Sequence, residues 1–136
     1  MKLNQSLLFK IASNGLLFLF SGSLIFHILV LTGVINYSII WGGRINNTSE
    51  MYIFESISLF TNALFLLIIL LKAELLKTKL TLKVINIGVW SMAILFTLNT
   101  VGNLLSKNEM EKTIFTPVTL ISAFLCVILA MKKSKE

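Results

Sequence analysis

Residues 51–71 read MYIFESISLFTNALFLLIILL, a run of 21 residues whose one ionisable side chain is Glu55 and which stops against Lys72. Such a run is too long for a buried strand and has the length of a helix crossing a hydrocarbon core of about 30 Å. Its polar residues are not scattered. Glu55, Ser58 and Asn62 stand at i, i+3 and i+7, which places them on one face of a helix over two turns. An acidic side chain facing lipid is costly, so this stripe is expected to face protein or water, the alternative being a carboxylate that reaches out to the headgroups four residues past Met51.

Working outward, three further apolar runs are found at 11–31, 84–104 and 115–131. The last is the shortest and is expected to take in the turn from Thr113 to complete its span. The connections are short, so the chain is read as all-α, a single domain over residues 1–136 built as an integral membrane bundle of four transmembrane helices. Composition agrees: 56% of the residues are hydrophobic and 13% are charged, against about 25% charged in soluble domains. The mean hydropathy is +0.88. The first run is longer than the apolar part of a secretory signal and lacks a small-residue cleavage end, so it is expected to be retained.

The net charge of +6 would suggest nucleic acid as partner in a soluble protein, but here its distribution accounts for it. Nine of the twelve Lys and Arg residues (Lys2, Lys10, Lys72, Lys77, Lys79, Lys83, Lys132, Lys133 and Lys135) flank one side, and Arg44, Lys107 and Lys112 flank the other. That bias predicts both termini on the cytoplasmic side, and no nucleic-acid partner is expected. An Ile-, Lys- and Asn-rich chain of this kind points to a bacterial inner membrane. Leu3, Leu7 and Leu8 with Lys2 and Lys10 read as an amphipathic lead-in lying on that membrane. The 72–83 connection, with four lysines and Glu74, reads as a solvated turn. The Asn-x-Ser/Thr matches at Asn46 and Asn47 are read as chance.

A helix running from Ile11 on to Ile40 would overshoot the hydrocarbon core. Either it tilts and projects, or the chain breaks near Gly33 and lies along the outer surface, with Tyr37 and Trp41 as interfacial aromatics in both cases. The following Trp41-Gly42-Gly43-Arg44 has the makings of a lid, since two glycines permit a tight reversal that would return Arg44 over the bundle towards Glu55. The plainer reading is an interfacial aromatic, a turn and a cation.

The polar residues within the runs share a depth. His27, Glu55 and Asn99 lie 16 or 17 positions from Lys10, Lys72 and Lys83 respectively, which is about 25 Å along a helix. His27 shares a face with Ser23 and Phe20, and Asn99 with Asn103, Met92 and Gly88. The expected site is therefore an outer-leaflet polar pocket with His27, Arg44, Glu55, Asn62, Asn99 and Asn103 as candidate ligand-binding residues. The competing reading is that the amides join helices and that His27 bonds Asn99 or Glu55. Thr116, Thr119, Ala123, Cys126 and Ala130 form a small-residue stripe suited to close helix packing. Trp90 is read as a packing or lipid-facing residue. One histidine and one cysteine cannot complete a metal set, so no metal or cofactor is expected.

Three functions are compatible with this pattern. The first is a module that binds or transports a lipophilic or cationic small molecule. The second is a structural or accessory subunit, a homo-oligomer or the partner of another membrane protein, whose polar residues serve packing. The third is a membrane enzyme using His27 and Glu55 as acid and base.

Overall fold

The computed structural model describes residues 4–131. Among these, Lys10 is the first of the topology lysines; Lys2, Leu3, Lys132, Lys133 and Lys135 lie outside the described residues. Four helices carry the fold: α1 Gln5–Leu31, α2 Thr48–Lys72, α3 Leu82–Leu104 and α4 Thr116–Met131. A π-helical turn, Glu111–Phe115, leads into α4. All four, the last taken with its lead-in turn, are long and apolar enough to cross a membrane. No strand occurs among the described residues. The helices alternate in direction, each packs on the next in sequence, and α1 closes the ring against α4.

Polar caps set the helix starts. Asn4 accepts from the backbone N–H of Ser6, so α1 begins six residues before the expected position 11 and takes up Leu7, Leu8 and Lys10 of the amphipathic lead-in. Asn47 accepts from the N–H of Glu50 at 2.9 Å, while the Glu50 carboxylate accepts from the N–H of Asn46 at 2.9 Å. This reciprocal arrangement starts α2 at Thr48 and gives both asparagines a local role. Pro117 closely follows the π-helical turn, in a helical run continuous from residue 109, and the widened turn is where the chain accommodates a residue without an N–H.

The chain breaks after α1 rather than projecting. Gly33 takes φ +77° and its N–H bonds the Val30 carbonyl, a helix ending that favours glycine. The connection then folds back through turns at Tyr37–Ile39 and Trp41–Gly43. Ile40 and Ile45 become buried with Val30 and Met51, with Phe26 and Tyr37 packed on them. This small second core caps the end of the bundle opposite Lys10 and the α2–α3 connection.

The principal core fills the lysine-bearing half. Leu16, Ile69, Val89, Met92, Cys126 and Leu129 are fully buried there. Thr116, Ala123, Cys126 and Ala130 of the small-residue stripe are buried, whereas Trp90 is 44% exposed. Lys72 departs from the solvated-turn reading: it is buried, and its ammonium donates to the Oδ1 of Asn86 on α3. The remainder of that connection, residues 74–80, is exposed.

Candidate functional site

Between the principal core and the cap lies a cavity of about 470 Å³. Its floor is aromatic. Phe20, Phe65 and Phe96, from three helices, pack with centroid separations of 5.6 to 5.8 Å, and Phe20 and Phe96 turn a side to the cavity. Phe26 and Phe115, 6.2 Å apart, add rings to the wall between α1 and α4.

The polar wall follows from helix periodicity. Ser23 and His27 project from α1, Glu55, Ser58 and Asn62 from α2, and Asn99 and Asn103 from α3, and all seven line the cavity. Glu55 turns inward and is 0% exposed. Its Oε2 lies 2.6 Å from His27 Nδ1, and its Oε1 accepts from the Trp41 indole Nε1 at 2.7 Å. The other imidazole nitrogen, Nε2, meets Asn62 Nδ2 at 3.3 Å, and that same Nδ2 donates to the Ser58 carbonyl at 2.9 Å. One continuous chain of hydrogen bonds thus runs along α2 through His27 and ends on the returning loop.

The partner of His27 is therefore Glu55 together with Asn62, and not Asn99. Asn103 serves as a helix tie, donating to Thr119 Oγ1 on α4 at 3.4 Å, and Thr100 meets the same hydroxyl at 3.0 Å. Asn99 is exposed to the cavity and forms no hydrogen bond among the described residues. Arg44 is exposed and lies outside the cavity lining.

The lid residue that reaches the site is Trp41. It sits at φ 54°, a left-handed conformation that costs a bulky residue about 1–2 kcal/mol. The hydrogen bond to Glu55 and stacking on Phe54, at 5.3 Å between centroids, hold it there. The sequence carried a signal for this contact: an indole N–H drawn against an apolar bundle needs an acceptor, and Glu55 was the one ionisable side chain of the 51–71 run. Thr119, at the outer end of the small-residue stripe where a pocket could use it, lines the cavity as well, and so does Ser122, which carried no such signal because its hydroxyl is satisfied on its own helix.

No group of three or more metal-ligating side chains occurs among the described residues. The site offers one buried carboxyl group, an imidazole coupled to it, an amide open to the cavity and aromatic walls. Both oxygens of that carboxyl group are taken by His27 and Trp41, and the Asn99 amide is the polar group left open to the cavity. No family model, no curated protein and no solved structure matches the chain.

Proposed function

We propose that this is a membrane-inserted binding protein with both ends cytoplasmic, whose cavity in the opposite half takes a lipophilic or cationic small molecule. Insertion is supported by the four long apolar helices and by the many large hydrophobic side chains on their outer faces. The orientation is supported by the lysines at positions 10, 72, 77, 79 and 83 on one end against Arg44, Lys107 and Lys112 on the other. A bacterial inner membrane suits that composition.

The observation that carries the reading is the contrast between Glu55 and Asn99. Glu55 is wholly enclosed on the wall of a cavity large enough for a small organic molecule, and Asn99 presents an amide to the same space without a partner among the described residues. Residues serving only as ties between helices would be paired with each other, as Asn103 and Thr119 are. His27, Glu55, Asn62 and Asn99 are the proposed contacts, with Asn103 at the edge and Arg44 outside the lining as a contact at the entrance.

A second reading, an accessory subunit whose polar residues lock its own helices, is favoured by one observation. Among the described residues no buried side-chain nitrogen or oxygen lacks a hydrogen-bond partner. Native mass spectra of gently extracted protein separate the two. The binding reading expects a small molecule retained at one per chain by the unmodified protein and lost from Glu55→Gln and His27→Ala variants that remain helical. Bare protein in every sample, with a second kind of subunit attached, would overturn it in favour of the accessory role.

A further inference from the structure

The direction of each hydrogen bond at the site fixes its charge. The Ser58 carbonyl can only accept, so the Asn62 atom 2.9 Å from it is the amide nitrogen. The second hydrogen of that nitrogen meets His27 Nε2, which must then offer its lone pair. An imidazole accepting at Nε2 carries its hydrogen at Nδ1 and is neutral. That hydrogen is donated to Glu55 Oε2. Trp41 Nε1, which can only donate, is bonded to Oε1. Both carboxylate oxygens therefore accept, so Glu55 is ionised and its partners are all neutral.

The negative charge of Glu55 is thus one that the protein does not balance. No lysine or arginine lines the cavity among the described residues, and besides His27 the other ionisable side chain on its wall is Glu111, from the turn before α4, which is also acidic. An enclosed anion without a counter-charge is costly in an apolar surrounding. The remaining wall is made of the rings of Phe20, Phe26, Phe96 and Phe115, whose faces attract cations.

We infer that the cavity is a site for an organic monocation of the alkyl- or arylammonium class. The inference rests on the binding reading above and names the charge of the ligand.

The test uses the full chain in a neutral maltoside detergent. Trp90 is exposed and does not line the cavity, so Trp90→Phe leaves Trp41 as the sole tryptophan, a fluorescent reporter on Glu55. The probes are benzyltrimethylammonium, whose charge does not depend on pH, and its uncharged carbon analogue neopentylbenzene. The ammonium probe is expected to bind at least about tenfold more tightly than the analogue. Adding Glu55→Gln should erase that preference. If this variant does not fold, the comparison of the two probes on the Trp90→Phe protein decides alone. Equal binding of both probes would overturn the cation inference and leave the binding reading standing. Saturable binding of neither would overturn both.

Discussion

The two halves of the bundle are built from the same four helices and hold together differently. In the lysine-bearing half, helices touch: a Cβ on Gly15 would stand 3.0 Å from Leu125 Cδ1, and one on Gly88 would stand 3.3 Å from Ile68 Cδ1. In the opposite half, a Cβ on Gly22 or Gly102 would meet nothing within 4 Å. A single helix shows both regimes, since Met92 of α3 is 0% exposed while Asn99, two turns on, looks into the cavity. Close packing needs no polar atoms, and in the first half an interhelical polar contact, the Lys72–Asn86 pair, stands at its end. The open half gives up packing contacts and is held by directional bonds, Glu55 to His27 and Trp41, and Thr119 to Thr100 and Asn103. Space for a ligand exists where hydrogen bonds, not side-chain volume, set the distance between helices.

The largest test of this contrast is a pair of truncations on α3. Met92→Ala removes a fully buried side chain from the packed half and is expected to cost about 2–5 kcal/mol. Asn99→Ala removes a side chain that fills nothing and should change stability by no more than about 0.5 kcal/mol. Thermal unfolding of both variants in one detergent measures the difference, and equal losses would abolish the distinction between the halves.

Next in size is the glycine pair. Gly88→Leu must push against Ile68 and is expected to lose about 1–3 kcal/mol through overpacking. Gly22→Leu enters open space and should gain up to about 1 kcal/mol, the helix propensity that glycine lacks. Because Gly22 lines the cavity, the same variant should also weaken benzyltrimethylammonium binding. Opposite signs in the unfolding temperature, with binding lost in the more stable variant, would sharpen the comparison; the same sign for both would break it.

The polar half was legible in the sequence to the extent that it depends on periodicity within one helix. The spacing of Glu55, Ser58 and Asn62, the shared face of Phe20, Ser23 and His27, and the matching depths across three helices brought all these residues to one cavity wall. What depends on contacts between distant segments was not legible. Nothing local says that Ile40 and Ile45 will bury against Val30 and Met51, yet that burial is what turns the 32–47 connection into a cap. The buried Lys72 is of the same kind: its setting is made by Asn86, across the α2–α3 turn. The early start of α1 was a capping signal, Asn4 before Ser6, hidden beneath an apolar pattern that begins later.

The smallest expected effects lie in the lid, where they separate two neighbouring residues. Trp41→Phe keeps a ring beside Phe54 and keeps the left-handed backbone, but removes the one donor that Glu55 Oε1 has. A hydrogen bond to a charged group contributes about 1.5 kcal/mol or more, so a loss of about that size is expected. The carboxylate, left with one bond and more free charge, should then draw the ammonium probe more strongly, followed by native mass spectrometry because the fluorescent reporter is gone. Arg44→Gln alters an exposed side chain outside the lining and is expected to leave the unfolding temperature unchanged. A positive charge near the entrance would nevertheless repel an arriving cation, and that repulsion is screened by salt. Faster probe association in Arg44→Gln at low salt, converging with the unmodified protein at high salt, would place Arg44 on the path to the site. Identical rates at every salt concentration would confine the lid's role to the indole.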